Sequence, residues 1–369
     1  MNPFILSGFP GAENFCDREN ELKKLKEAFE NKRNVTLFSL RRMGKSALVK
    51  FLFEKISNKA NCIYADIYSA RNFSEMALLT ANAVAQFYSP TLKDYVSKIG
   101  LLIKSLGATL SFNELSGKPE LKFGIGQIKN QQKSFNEIFD FLESGKKRVL
   151  FAFDEFQQIR NFPEQNTEAN LRSIIQKCRK IGFIFLGSNK STLDSIFADN
   201  TKPFYQSTQF MHLEEINKEV YSKFIREKFK KGRQKISDNQ ISLILEWCRV
   251  HTYYVQYFCN RLYSKEFDGS DEKFYETLEE ILKENEPVYF NYKNLLTDIQ
   301  WRLAAAVAKE EKVKEPLSNV FIKKYDLTSA SSVKRALDAL LKKEILIHYK
   351  ENYILYDVFF SLWIKMNVI

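Results

Sequence analysis

An α/β protein, with a parallel-sheet core followed by an all-α segment and a C-terminal winged helix-turn-helix, is the architecture this sequence predicts. Three observations carry it. Over the first 210 residues, short apolar runs alternate with amphipathic helical stretches, the pattern of βαβ units. From Asn217 to about Asn285 the pattern is helical, broken only at Gly232 and Gly269-Ser270. Beyond Pro287, three helical stretches lead into two short strand-like runs.

Length and composition agree with this plan. The 369 residues suit two to three domains of about 150 residues each. Apolar residues make up 44% and charged residues 27%, which excludes both a disordered chain and a membrane bundle. Apolar runs such as Val149–Phe153 fall far short of the roughly 18 residues that span a bilayer. Met1–Phe15 lacks the basic start and long apolar stretch of a secretory signal. Five scattered cysteines, none in a C-x-x-C pair, and three histidines offer neither a zinc site nor a disulfide framework. Reduced, buried thiols in a cytoplasmic protein are expected. The 56 Lys+Arg against 45 Asp+Glu give a net charge of +11, which favours anionic partners.

The core elements follow in order. The strands are expected at Val35–Ser39, Cys62–Ile67, Val149–Phe153 and Gly182–Gly187, each a barely alternating apolar run of the kind buried on both faces. Between the first two, Leu48, Val49, Leu52, Phe53 and Ile56 recur at helical spacing, and Phe135–Leu142 repeats the pattern. Within Ala108–Gly126, two alternating runs flank Ser116-Gly-Lys-Pro119 and predict an inserted β-hairpin. The expected boundaries are 1–210 for the core, 211–286 for the all-α segment and 287–369 for the winged helix.

The strand at Val35 feeds Ser39-Leu-Arg41-Arg42-Met43-Gly44-Lys45-Ser46-Ala47, a loop that ends in Gly-Lys-Ser and opens a helix. That context is what a Walker A phosphate loop requires. Gly44 lets backbone N–H groups close on a phosphate with no Cβ in the way, and the helix start adds unpaired donors and a positive dipole end. Lys45 would reach the β- and γ-phosphates, and the Ser46 hydroxyl would hold Mg²⁺. In G-x-x-x-x-G-K-[ST] the first glycine falls at position 39, here Ser39.

A second apolar strand ends in Asp154-Glu155. Asp154 suits a Walker B acid that holds Mg²⁺ through its water shell, and Glu155 suits the base that polarises the attacking water. A third, Ile181–Gly187, ends in Ser188-Asn189, from which a side chain reaches the γ-phosphate or the lytic water; Gly-Ser-Asn is equally a turn sequence.

With these pieces in order, the chain resembles the archaeal- and bacterial-type P-loop ATPases of the AAA+/STAND group. The entry Phe15-Cys-Asp-Arg18-Glu-Asn-Glu21-Leu is similar to the family's F-x-x-R-E-x-E-L segment, which flanks the adenine. Leu40–Ser46 is similar to its P-R-R-M-G-K-[ST] loop, and His251–Gln256 to its lid segment G-x-P-Y-Y-[LIV]-Q. The resemblance implies a P-loop NTPase core, a helical lid, a winged helix, and ATP with Mg²⁺ as ligands. It implies Phe15, Arg18, Arg41, Arg42, Met43, Gly44, Lys45, Ser46, Ala47 and Asp154 as nucleotide-site residues. Lys45, Glu155, Ser188 and Asn189 would be catalytic. Thr252 stands where the lid proline packs on the adenine, and Gln206 occupies a place where relatives often carry an arginine. Loss of such an arginine implies slower turnover.

In the last region, Val333, Ala336, Leu337, Leu340 and Leu341 repeat at helical spacing after Thr328, a suitable N-cap. Ser331, Ser332, Lys334 and Arg335 are left facing outward where a recognition helix meets a major groove, and Lys350 sits at the wing tip. These five are the candidate duplex-DNA contacts; packing or intramolecular regulation uses the same module equally well. The terminal Phe359, Phe360 and Trp363 suit packing of the last helix. Two readings result. One is a Mg-dependent ATPase acting as a nucleotide-driven switch on the winged module. The other is a nucleotide-gated DNA-binding or scaffold protein with negligible turnover, and either allows a protein partner or self-association. Of the +11, the first 210 residues hold 30 basic and 21 acidic, against 13 and 9 from Pro287 onward. The excess therefore lies mainly with the phosphate loop's domain.

Overall fold

The computed structural model describes residues 2–9, 11–88, 108–112, 119–123 and 131–367, and the chain divides into two compact units. The first comprises Gly11–Glu13 and Arg18–Glu214; the second comprises Met1–Pro10, Asn14–Asp17 and Glu215–Ile369.

In the first unit, α1 (Glu19–Glu30) precedes β1 (Val35–Phe38), followed by α2 (Lys45–Ile56), β2 (Ala60–Asp66) and α3 (Phe73–Tyr88). Then come β3 (Ala108–Phe112), β4 (Pro119–Phe123), α4 (Gln131–Glu143), β5 (Arg148–Asp154), α5 (Thr167–Lys177), β6 (Ile181–Gly187), α6 (Lys190–Phe197) and β7 (Gln209–His212). Five strands form one parallel sheet in the order β2-β5-β6-β1-β7. Every residue of β1 and β6 is buried, as the continuous apolar runs predict. The order matters for chemistry, because β6 lies between β1, which feeds the phosphate loop, and β5, which ends in the acids. All three deliver their following residues to the carboxyl edge of the sheet, where ligands of open α/β sheets bind.

Strand β7 has no signature in the sequence. Only Met211 of its four residues is buried, so the edge strand shows neither an apolar run nor a full alternation. The inserted hairpin forms as expected, with β3 antiparallel to β4 from Ala108↔Phe123 to Phe112↔Pro119. Its turn, 113–118, lies outside the described residues.

An aromatic stack stiffens the two central strands. Phe153 lies parallel to Phe183 and Phe185, at ring distances of 6.4 and 6.2 Å, and Phe156, Phe197 and Phe204 close over Phe185. Such pairs contribute about 0.5–1.5 kcal/mol each beyond their buried area. They hold the ends of β5 and β6 in fixed relation.

The second unit contains α7 (Lys218–Lys231), α8 (Asp238–Trp247), α9 (Thr252–Ser264), α10 (Asp271–Leu295), α11 (Asp298–Glu310), α12 (Asn319–Lys324), α13 (Ala330–Lys342), β8 (Leu346–Tyr349), β9 (Asn352–Leu355) and α14 (Val358–Asn367). One buried cluster runs through this whole unit, from Phe4 and the helices α7–α10 to α14. Phe359 meets Tyr254 at 5.1 Å and Phe360 meets Tyr289 at 5.1 Å, so the C-terminal aromatics pack as expected. The Arg249 guanidinium ties the loop after α8 to this end of the chain, donating to Leu355 O at 2.9 Å and Ser361 Oγ at 2.8 Å.

Two sequence expectations are corrected here. The helix expected to end near Asn285 runs on to Leu295, with Pro287 inside the 25-residue α10. A proline there removes one backbone bond, but burial of Ile281, Leu282 and Tyr289 on either side carries the helix through. The N-cap of α13 is Ser329, whose hydroxyl accepts from Ser332 N, and not Thr328. The wing hairpin turns through Lys350 (φ 46°) and Glu351 (φ 64°), a two-residue turn with positive φ at both positions.

Candidate active site

The phosphate loop is built by the change from β1 to α2. Gly44 takes φ 95°, which glycine adopts without a Cβ penalty, and the helix starts at the next residue. Ser39 is buried and is not among the positive-φ residues, so this position does not use a glycine's freedom. Arg41 and Arg42 are exposed, Arg42 with φ 61°, while Met43 is buried beneath the loop and Ala47 lies in the first turn of α2.

Lys45 is 5% exposed and turns its ammonium into the loop. Its Nζ donates to Ser39 O (3.2 Å), Leu40 O (3.1 Å) and Ser39 Oγ (3.3 Å). Burial pushes its pKa down to about 8, against the pull of Glu155 and Asp154. An anionic ligand would relieve that desolvation cost.

Ser46 Oγ donates to Asp154 Oδ2 at 2.7 Å, which joins α2 to the end of β5. The same carboxylate accepts the Glu155 backbone N–H on Oδ1 at 2.9 Å, and the Tyr64 hydroxyl donates to Oδ2. Burial, reinforced by Asp154, drives the Tyr64 phenol pKa far above its ordinary range. A hydroxyl beside a carboxylate is a hard, all-oxygen donor pair of the kind Mg²⁺ selects, so the residues fit that ion.

Glu155 follows at φ 55°, a left-handed backbone that costs a non-glycine residue on the order of 1–3 kcal/mol. Its Oε2 accepts from Ser188 Oγ at 3.2 Å and from Gln157 Nε2. Gln157 Nε2 also lies 3.4 Å from Ser188 Oγ, so three side chains close a small polar ring at the ends of β5 and β6. Asn189, expected to be catalytic, is exposed and spends its side-chain oxygen on the start of α6, accepting from Thr192 N at 3.0 Å and Ser191 Oγ at 2.8 Å. Lys45, Ser46, Asp154, Glu155 and Ser188 thus converge, and Asn189 caps a helix beside them.

Arg18 caps α1 in the first unit, nearly buried, with Nη1 on Glu21 Oε1 at 2.8 Å. Phe15 belongs to the second unit, where its ring lies 5.9 Å from that of Phe9. Thr252 is the first residue of α9, the position where proline is favoured in helices. Gln206 is exposed with φ 52°.

Tyr64 and Gln157 were not expected from the sequence. Tyr64 reaches Asp154 only because β2 pairs in parallel register with β5, with Asp66 opposite Asp154. Gln157 reaches Glu155 through the 3₁₀ turn Phe156–Asn161. Neither leaves a periodic signal.

In the second unit, Lys334 and Arg335 are exposed on α13, while the Ser331 and Ser332 hydroxyls sit 3.1 Å from Ser329 Oγ. Lys350 at the wing tip is engaged within the chain, its Nζ 2.6 Å from Glu215 Oε2, while Tyr349 donates to Glu215 Oε1 at 2.8 Å. Among the described residues, no helix is long and apolar enough to cross a membrane, and no cluster of His, Cys, Asp and Glu has the makings of a metal site on its own.

Residues 287–366 match a family model described as "probable winged helix domain". No curated protein sequence matches the chain. Among solved structures, the Walker-type ATPase PABY2304 of Pyrococcus abyssi is similar over 98% of this chain and 99% of its own, at 19% identity and a TM-score of 0.69. The ORC2 protein of Aeropyrum pernix, in ADPNP–ADP complexes, is similar over 99% and 98% of the two chains, at 11% identity and a TM-score of 0.59. The ORC1 protein of Aeropyrum pernix in complex with DNA follows at 10% identity and 0.54, over 99% and 96%. These likenesses establish the shared fold, a P-loop ATPase core with a C-terminal winged helix. Residues 15–258, well over half of the chain, match the model described as "ATPase domain predominantly from Archaea", and the chain belongs to that family of ATPases.

Proposed function

We propose that this protein binds Mg-ATP at the carboxyl edge of its parallel sheet and hydrolyses it slowly, the nucleotide state acting as a switch on the winged-helix module. The observation that carries the reading is the convergence of Lys45, Ser46, Asp154, Glu155 and Ser188 from three adjacent strands. Lys45 and the N–H groups around Gly44 bind the β- and γ-phosphates. Ser46 and Asp154 would hold Mg²⁺, which when bound neutralises charge on the phosphate oxygens. Glu155 orients a water and takes its proton as the water oxygen bonds to the γ-phosphorus and the bond to the diphosphate leaving group breaks. Ser188 holds the Glu155 carboxylate in place. In this scheme 1–210 is the catalytic core, 211–286 the lid and 287–369 the module that reads the nucleotide state.

A second reading is a nucleotide-gated DNA-binding or scaffold protein with negligible turnover. The engagement of Glu155 Oε2 by both Gln157 and Ser188 favours it, because two donors on that oxygen lower its basicity toward water. The DNA complex of ORC1, a protein of like fold, supports a DNA contact through exposed Lys334 and Arg335. Phosphate release by the full chain, measured beside Glu155→Gln, separates the two: release above the variant's level supports the ATPase, and equal release supports the binding protein.

A further inference from the structure

The Asp154 carboxylate is held by three donors that come from three different parts of the fold. Ser46 of α2 and Tyr64 of β2 both donate to Oδ2, and the Glu155 peptide donates to Oδ1. An ionised carboxylate offers about four acceptor positions, so one, on Oδ1, is left. A Walker-type site needs only the hydroxyl and the acid; nothing in that chemistry calls for a phenol. Tyr64 is nonetheless half-buried with its hydroxyl on that acid, and its ring is flanked by Lys50, whose Nζ lies 5.2 Å from the ring centre.

We propose that Tyr64 is a positioning residue for Mg²⁺, which fixes the rotation of the Asp154 carboxylate so that its remaining lone pair faces the ion's water shell. The inference rests on the Mg-nucleotide reading of the site. Its physical basis is that a short carboxylate at the end of a strand turns about its last bond unless both oxygens are held. The Glu155 N–H holds one oxygen. Ser46 alone holds the other weakly, because its hydroxyl oxygen must also serve the ion. A second donor on Oδ2, delivered from a neighbouring strand by the sheet's own register, keeps the carboxylate from swinging. Partners of this kind around a metal ligand change metal affinity by about 10- to 100-fold when removed.

The test is the ratio of nucleotide affinity in Mg²⁺ to that in EDTA, read with a fluorescent ADP analogue on the full chain. Tyr64→Phe keeps the ring and removes only the hydroxyl. The proposal expects that ratio to fall by about tenfold or more, with the affinity in EDTA unchanged. That unchanged affinity also certifies the fold. In an Asp154→Asn background, Tyr64→Phe changes the ratio no further, because the group it acts through is already altered. A wild-type ratio in Tyr64→Phe, an equal loss with and without Mg²⁺, or additive losses in the double variant would each overturn the proposal. If the wild-type protein shows no Mg²⁺ dependence, or Ser46→Ala leaves the ratio untouched, the Mg-nucleotide reading itself fails; a lowered ratio in Ser46→Ala beside a normal one in Tyr64→Phe sinks only the role of Tyr64.

Discussion

Ser188 Oγ lies 3.2 Å from Glu155 Oε2, and this bond joins the ends of two neighbouring strands at the point where the proposed mechanism places the attacking water. It exists because β6 is inserted between β1 and β5 in the sheet order. A residue just past β6 therefore stands between the lysine of the phosphate loop and the acids that follow β5. Gln157 completes the contact from the turn that follows Glu155.

The position before Ser188 gives a way to disturb this ring without substituting any of its members. A Cβ on Gly187 would come within 2.5 Å of Gln157 Oε1 and 2.7 Å of Leu193 Cδ1. Both are side-chain ends, so Gly187→Ala displaces Gln157 and also presses on the buried Leu193. Steady-state assays should show kcat altered by roughly 10-fold or more, with nucleotide affinity within about twofold of wild type. These values take their scale from the cost of misplacing a general base. Unaltered kcat would remove Gln157 from the account.

Lys45→Met should separate binding from stability. Nucleotide affinity, read by calorimetry, is expected to fall below detection because the phosphate loses its buried cation. The free protein should hold or gain stability. Burial lowers the Lys45 pKa from 10.5 to about 8, a cost on the order of 3 kcal/mol for keeping it charged. The sign follows: the cost is fully present below pH 8 and is relieved as pH rises toward 10.5, where the unfolded chain also loses its proton. Thermal melts of wild type and Lys45→Met should therefore differ most near pH 7 and converge by pH 10.5.

Glu215 gives a pH dependence of opposite sign. Burial raises its carboxyl, but hydrogen bonds from Lys350 and Tyr349 more than offset this, and the pKa lies below its ordinary value of 4.5. The contribution of the contact is complete above that value and is lost as pH falls through the depressed one. Melts of wild type and Glu215→Gln should differ at pH 6 and merge in acid. A difference that persists unchanged at pH 3 would contradict the assignment.

Duplex binding, if the winged module contacts DNA, should weaken steeply with salt, with a slope of about −0.9 for each phosphate neutralised. Replacing Lys334 and Arg335 together by alanine should lower affinity at every sequence and reduce that slope by about two, as measured by fluorescence anisotropy. Glu215→Gln should act the other way, since Lys350 then has no carboxylate partner there and is available to a phosphate. Absence of binding at low salt would leave the module a packing or regulatory role.

Much of this molecule is legible in its sequence where a single physical demand dominates. Strands β1, β5 and β6 are largely buried on both faces and so read as mostly apolar runs, and Gly44-Lys45-Ser46 declares a helix start shaped for an anion. Strand β7 is silent because only Met211 needs an apolar side chain. Tyr64 and Gln157 are silent for a different reason: their roles arise from strand register and a 3₁₀ turn, which pair residues 90 and 2 positions from the acids they serve. The run of α10 past Asn285 is hidden because a proline's local propensity yields to packing on both sides of it. Ser329 lies one residue beyond the expected cap because Thr and Ser are both competent and only the backbone angles decide between them.

The most direct measurement is phosphate release from ATP by the wild-type chain and by Glu155→Gln, at a concentration where both are saturated with nucleotide. The account predicts that the two bind Mg-ATP with similar affinity, and that the variant releases phosphate at least about 100-fold more slowly, the scale of a lost general base. Equal rates in the two proteins would contradict it.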